Sequence, residues 1–103
     1  MNVRINIPNN KIAEFCQRHH IRRLALFGSV LRDDFTPESD VDILVDFEPG
    51  KTPGLDFFTI QDELSKVLGR RVDLYTFKGV ENSRNWILRE EILNTAEVQY
   101  EQT

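Results

Sequence analysis

The chain has 103 residues, 40% of them hydrophobic and 29% charged, which is the composition of one soluble globular domain over residues 1–103. The formal net charge of −4 disfavours a direct nucleic-acid partner, because such binding depends on basic side chains that neutralise phosphates. No apolar run approaches the roughly 18 residues that a transmembrane helix needs, and the N-terminus lacks a signal-peptide core. We therefore expect a cytoplasmic protein with no membrane partner, and the single cysteine excludes an internal disulfide.

Helical and extended patterns alternate along the chain. A capping signal at Pro8-Asn9-Asn10 begins a helix that ends at His19 and His20. The next elements are a strand over 21–27, a short helix over 29–34, a strand over 40–47, a loop over 48–54, a helix over 55–68, a strand over 71–76 and a helix over 83–96. The last residues, 97–103, are extended or frayed. This order predicts an α/β domain with a small three-stranded mixed sheet and with helices mainly on one face.

The predicted helix over 55–68 is amphipathic, and its apolar positions form one stripe that Phe57 and Ile60 widen. The stripe residues are Leu55, Phe58, Leu64, Val67 and Leu68. The added width leaves two interpretations open, partial burial in the core and contact with a partner.

Acidic side chains occupy one face of two predicted strands. Successive side chains of a strand point to opposite faces, so Asp40 and Asp42 lie opposite the apolar face of their strand. Their Cα atoms are roughly 6.6 Å apart, and two carboxylates at that spacing disfavour joint ionisation unless positive charge lies beside them. A divalent cation meets that need. Asp73 lies opposite the aliphatic residues of the next strand, so an open acidic face is expected if helices cover only the aliphatic one.

A glycine-serine pair follows the first predicted strand. Gly28 allows the backbone to approach a ligand, and amides at a helix start favour anions, to which Ser29 adds a hydroxyl group. Arg32 has two open interpretations, contact with a triphosphate and an ion pair with a nearby acid such as Asp33. Together with the three carboxylates, this turn predicts a site for a nucleoside triphosphate with magnesium. The expected reaction class is nucleotidyl or phosphoryl transfer.

The spacing of these residues resembles the pattern of the DNA polymerase beta-like nucleotidyltransferase superfamily. That pattern is Gly-Ser, about ten residues, Asp-x-Asp and a third acid on a later strand. The resemblance covers about residues 20–76, and the chain length is similar to that of the minimal nucleotidyltransferase (MNT) group. It implies that Asp40 and Asp42 bind two Mg²⁺ ions and that Asp73 completes one metal site near the acceptor oxygen. It also implies that Gly28 and Ser29 hold the terminal phosphates of ATP.

The resemblance further implies a biological role. Minimal nucleotidyltransferases are often antitoxins paired with a HEPN-domain ribonuclease toxin, which they neutralise by transferring AMP from ATP to a toxin tyrosine or by binding it. The implied function is a magnesium-dependent protein adenylyltransferase. Asp33 stands where many relatives have glycine and adds negative charge near the phosphates.

Two alternatives stay open. One is a non-catalytic antitoxin that occupies its toxin, with Phe57, Phe58, Trp86 and Tyr100 as candidate contacts. The other is transfer of a nucleotide to a small molecule. Since the length leaves no room for an acceptor domain, we expect acceptor recognition to come from a partner or from a second copy of the chain in a homo-oligomer.

Overall fold

The computed structural model of the protein describes residues 8–28, 36 and 39–102. Three residues named above, Ser29, Arg32 and Asp33, lie outside the described residues, as does the predicted short helix over 29–34. Within the described part of the chain, no helix has both the length and the apolar character needed to cross a bilayer.

Four strands form one mixed sheet. In chain order the elements are α1 (Asn9–Arg18), β1 (Ile21–Phe27), β2 (Val41–Phe47), a 3₁₀ turn (Gly54–Asp56), α2 (Phe57–Leu68), β3 (Val72–Thr76), α3 (Phe77–Glu81), α4 (Trp86–Thr95) and β4 (Glu97–Glu101). The sheet order is β3-β2-β1-β4, with β2 and β3 parallel and the other two pairs antiparallel. The predicted mixed α/β fold is confirmed. The predicted strand number is wrong, because residues 97–101 pair with the free edge of β1, and that pairing depends on tertiary context.

The main core lies on the sheet face that α1 and α2 cover. Alternation along the strands directs their aliphatic residues to this face, as the sequence pattern predicts. The fully buried members include Ile12, Phe15, Ile21, Leu24, Leu26, Val41, Ile43, Val45 and Leu64. Each such side chain contributes about 1.5–3 kcal/mol through removal of apolar surface from water. This core fixes β2 and β3 in register and thereby fixes the acids on their opposite side.

The second sheet face is partly covered, contrary to the prediction that helices lie mainly on one face. Ala25, Phe27 and Leu44 form a smaller core there with Phe77 and Val80 of α3. Residues of α4 and the segment after it pack against this core: Ile92, Leu93 and Ala96. Helix α3, which the sequence pattern did not predict, starts directly after β3. The Thr76 hydroxyl caps it by accepting a 2.9 Å hydrogen bond from the Gly79 amide.

The apolar stripe predicted for the third helix is partly wrong. Leu55 is 91% exposed and Phe58 is 66% exposed, whereas Ile60 and Leu64 are buried. The reason is that α2 begins only at Phe57, after the 3₁₀ turn, so the residues that share its inward face recur three and four positions apart from there. The exposed pair is therefore available for contact with a partner.

A polar cluster joins α1 to α2. His19 Nε2 lies 2.7 Å from Glu63 Oε2, and Arg18 donates to the same carboxylate oxygen. Burial raises the pKa of Glu63, but the hydrogen bonds from His19 and Arg18 outweigh it and leave the pKa below its ordinary value of 4.5. The ionised carboxylate thus stabilises the helix pair above that pH, and its contribution is lost as the pH falls through the folded-state pKa.

Glu63→Gln is expected to lower the free energy of unfolding at pH 7 by about 0.5 kcal/mol, since the cluster is partly exposed and screened. The difference from wild type should vanish near pH 3, where the carboxyl group is neutral. Urea unfolding at both pH values measures it. Glu14→Gln is the matched control, because Glu14 is 77% exposed and 3.8 Å from Arg18. A Glu63→Gln deficit that persists unchanged at pH 3 would exclude the ionic explanation.

Candidate active site

The sheet brings the three predicted carboxylates together at one end of β2 and β3. Asp42 and Asp73 are paired Cα partners in the parallel β2–β3 ladder, and neighbouring strands lie about 4.8 Å apart. Asp40 directly precedes β2, and its carboxyl group shares a hydrogen bond with that of Asp73. The alternation of the sequence therefore places three acids in one cluster, which we call the carboxylate cluster.

Crowding within the carboxylate cluster changes the ionisation of Asp73. Burial raises its pKa, as do the negative charge of Asp40 and the hydrogen bond with that residue, while Arg71 opposes the shift. Arg71 Nε lies 3.8 Å from Asp40 Oδ1 and is mostly exposed, so it neutralises the cluster only in part. The cluster thus favours a shared proton or added positive charge.

A magnesium ion suits this donor set, since Mg²⁺ prefers hard carboxylate oxygens. Over residues 8–28, 36 and 39–102, however, no three acidic, histidine or cysteine side chains are arranged to hold a metal ion. The side chains of the carboxylate cluster would have to turn toward a common ion, so the predicted Mg²⁺ site stays a prediction.

Asp73→Asn is expected to raise the thermal unfolding midpoint at pH 7 in the presence of a chelator. Because the folded-state pKa of Asp73 lies above the unfolded value of 3.8, the charged carboxylate costs stability once the pH exceeds that value, and the full cost is present above the folded-state pKa. The asparagine substitution removes the charge and, with it, this cost in stability. The difference should disappear near pH 3, where wild-type Asp73 is neutral, and a lower midpoint for the variant at pH 7 would contradict this account.

Gly28 lies against the carboxylate cluster in a backbone conformation that favours glycine. Its φ angle is +75°, and a Cβ atom placed there would lie 2.4 Å from Asp42 Oδ2. Phe27, the last residue of β1, pairs with Asp42 across the antiparallel ladder. The predicted phosphate-binding glycine is therefore in direct contact with one of the predicted metal ligands.

Two cavities open onto Asp42. The larger has a volume of about 730 Å³ and the smaller about 350 Å³. Their walls share Phe27, Asp42, Leu88 and Ile92. The larger cavity continues past Phe57, Leu74, Tyr75, Thr76, Gly79, Val80, Ser83 and Arg89, whereas the smaller continues past Gly28, Glu91 and Thr95. Asp42 thus stands where two ligand-sized spaces meet.

Sequence reasoning did not assign Tyr75 to the site. Tyr75 lies two residues after Asp73 on the same face of β3, and its ring contacts the ring of Phe27 at a centroid distance of 5.4 Å. Burial raises the pKa of Tyr75, and the charges of Asp42, Asp73 and Asp40 raise it further. Strand alternation predicts which face of β3 carries Tyr75. The contribution of α4 to the cavities, in contrast, depends on tertiary packing that no local pattern indicates.

Sequence comparison with known proteins finds a family match and a long relative. Residues 9–97 match the profile of the family described as nucleotidyltransferase domain. A candidate protein adenylyltransferase of Methanocaldococcus jannaschii is 39% identical over 92 residues, which cover 89% of this chain and 94% of that protein.

Solved structures give the same result for the fold. A candidate minimal nucleotidyltransferase matches with a TM-score of 0.66 and 36% identity over 85% of each chain. A complex of a tri-AMPylated Shewanella oneidensis HEPN toxin with an MNT antitoxin contains a chain that matches with a TM-score of 0.62 and 20% identity. That match covers 91% of this chain and 70% of the other, and it concerns the fold alone. From the sequence match over residues 9–97 and the long, 39% identical relative, we conclude that the chain belongs to the nucleotidyltransferase domain family.

Proposed function

We propose that this nucleotidyltransferase moves AMP from ATP onto a hydroxyl side chain of a protein partner, and that the partner is a HEPN-type toxin which it neutralises as an antitoxin. The observation that carries the proposal is the convergence of Asp40, Asp42 and Asp73 beside Gly28 in a member of this family. We also propose the cytoplasm as the site of this activity.

The proposed reaction is a displacement at the α-phosphorus of ATP. The acceptor oxygen forms a bond to that phosphorus as the bridging oxygen–phosphorus bond to the β-phosphate breaks, and pyrophosphate leaves. Asp73 takes the proton of the acceptor hydroxyl group. The Gly28 backbone and the Ser29 hydroxyl hold the terminal phosphates, and Arg32 contributes positive charge to them. Two Mg²⁺ ions, held by Asp40 and Asp42 with Asp73 completing one site, would supply further positive charge against the triphosphate.

Relatives support a protein as the acceptor. The M. jannaschii relative is named for protein adenylyltransferase activity, and the Shewanella complex pairs an MNT antitoxin with an AMPylated HEPN toxin. We extend this pairing to the present chain and, on the family resemblance, name a toxin tyrosine as the acceptor. Phe58 and Trp86, two of the predicted partner contacts, are 66% and 61% exposed, as a docking surface requires. The other two, Phe57 and Tyr100, pack against the core.

A second candidate function is neutralisation by binding alone. The same exposed side chains favour it, because they can bind a partner whether or not a nucleotide is transferred. The described residues give no observation that favours transfer to a small molecule. Oligomerisation stays a prediction.

One experiment separates the two candidates. The purified chain is incubated with ATP, Mg²⁺ and a HEPN partner, and the partner's intact mass is measured. We expect an increase by whole AMP units. In cells, the Asp40→Asn, Asp42→Asn, Asp73→Asn triple variant should fail to neutralise the partner. Full neutralisation by that variant would favour binding alone.

A further inference from the structure

We propose that the larger cavity is the acceptor site of the chain and that it takes the aromatic ring of a hydroxyl-bearing side chain on a partner protein. This inference rests on the proposed function, since it assigns a place to the acceptor of that reaction. It also replaces the expectation that acceptor recognition comes wholly from outside the chain. Helices α3 and α4 form much of the wall of the larger cavity and thus supply the proposed acceptor site.

The arrangement of the two cavities matches the needs of an in-line displacement. In phosphoryl and nucleotidyl transfer the attacking oxygen and the leaving oxygen lie on opposite sides of the phosphorus atom. The smaller cavity is the one that Gly28 lines, and it therefore lies on the proposed triphosphate side. The larger cavity departs from Asp42 toward Tyr75 and does not include Gly28. A nucleotide in the smaller cavity and an acceptor side chain in the larger cavity would meet at Asp42.

Three polar side chains of the larger cavity make hydrogen bonds within the protein. Thr76 Oγ1 accepts from the Gly79 amide at 2.9 Å, and Ser83 Oγ accepts from the Asn85 amide at 3.3 Å. Arg89 Nη1 donates to the Ser83 carbonyl oxygen at 3.2 Å. Most of the remaining wall residues are apolar, and a phenyl ring needs no hydrogen-bond partner along its edge. This wall therefore suits the ring of an amino-acid side chain.

The remaining walls of the larger cavity suit an aromatic ring. Tyr75 and Phe27 contact each other edge to face and form an aromatic wall beside Asp42. Leu88 of α4 forms part of the opposing wall and is 48% exposed. The residues just before it, Trp86 and Ile87, are 61% and 63% exposed, so the helix presents apolar surface where a protein carrying the ring would dock.

The charge of the site also selects the occupant. Asp42 lines the cavity, and the charges of Asp42, Asp73 and Asp40 all act on its wall residue Tyr75, within a chain of net charge −4. An anionic acceptor would be repelled there, whereas a neutral phenol is not. A phenol also places its hydroxyl group at the far end of the ring from the protein backbone, which is where Asp42 and Asp73 would meet it.

Binding of a small probe tests the acceptor site without relying on catalysis. The probe is N-acetyl-tyrosinamide, added to the isotope-labelled protein with and without saturating AMP-PNP, while amide NMR signals are followed. We expect shifts at Tyr75, Val80 and Ser83 that persist when AMP-PNP is bound, and no such shifts with N-acetyl-serinamide. Displacement of the probe by AMP-PNP would assign the cavity to the base of the nucleotide and overturn the proposal, as would shifts confined to other residues or equal shifts with the serine probe.

Two tryptophan substitutions provide a matched pair. Ser83 lines only the larger cavity and Thr95 only the smaller one. Ser83→Trp should weaken binding of the tyrosine probe by about tenfold or more while AMP-PNP still binds. Thr95→Trp should weaken binding of AMP-PNP by a similar factor while the tyrosine probe still binds. Equal effects of both variants on both ligands would contradict separate sites.

The outcomes also separate this inference from the proposed function. If the probe binds as expected and no AMP is transferred to a protein, the acceptor-ring site stands and the proposed function fails. If Ser83→Trp transfers AMP to a protein partner with the wild-type KM for that partner, the proposed function stands and the acceptor site is wrong.

Discussion

Asp42→Asn is expected to reduce AMP transfer by about 10²- to 10³-fold or more while the fold stays intact. Asp42 faces away from the main core, pairs with Asp73 in register and stands where both cavities meet. Asparagine keeps the shape of the side chain but removes its negative charge, and with it the capacity to bind a divalent cation strongly. Transfer is measured as the rate of appearance of AMP on a HEPN partner, and the fold is checked by circular dichroism.

Asp46→Asn is the matched control for this variant. Asp46 lies four residues later on the same strand and face, where it pairs with Arg22 and lies 3.7 Å from Arg23. Loss of this partly exposed ion pair should cost at most about 1 kcal/mol of stability and leave transfer unchanged. If the two variants lose activity equally, the role assigned to the carboxylate cluster is wrong.

Gly28→Ala is expected to impair both stability and transfer. A side chain at φ +75° costs about 1–2 kcal/mol, because Cβ crowds the neighbouring carbonyl oxygen. The same Cβ would lie 2.4 Å from Asp42 Oδ2, so either the carboxylate or the backbone must move. A displacement of the carboxylate by about 1 Å is enough to lower a rate by about 10²-fold. Urea unfolding and the AMP-transfer rate measure the two effects separately.

Gly50→Ala isolates the backbone strain. Gly50 has nearly the same φ angle, +76°, but an added Cβ would meet no atom within 4 Å. This variant should lose stability by a similar amount and keep its transfer activity. A Gly28→Ala variant that transfers AMP as fast as Gly50→Ala would show that the contact with Asp42 has no functional consequence.

Strand alternation made the acidic face predictable. The apolar run of β2 and the shorter run of β3 each place their aliphatic residues on one side, which leaves Asp42 and Asp73 on the other, since a strand has a period of two. Because both strands are anchored by one core, their acids come into register. The helices that bury this core, α1 and α2, were also predicted, although the start of α2 was placed two residues too early.

Features that depend on non-local packing were not predictable in the same way. Strand β4 exists because β1 has a free edge, and α3 exists because Thr76 caps a turn that β3 directs toward the second face. The walls that α3 and α4 give to the two cavities follow from those contacts. The roles of Ser29 and Arg32 stay predictions from the spacing of the Gly-Ser pair.

The position of the label that ATP leaves on a partner tests the central claim most directly. Parallel reactions contain the chain, Mg²⁺, a HEPN partner and ATP labelled at either the α- or the γ-phosphate. Transfer of AMP predicts that the partner retains the α label and no γ label, and that Asp42→Asn lowers the rate of α labelling by about 10²-fold or more. A partner that retains the γ label, or an α label that survives in the Asp42→Asn variant at the wild-type rate, would contradict the account.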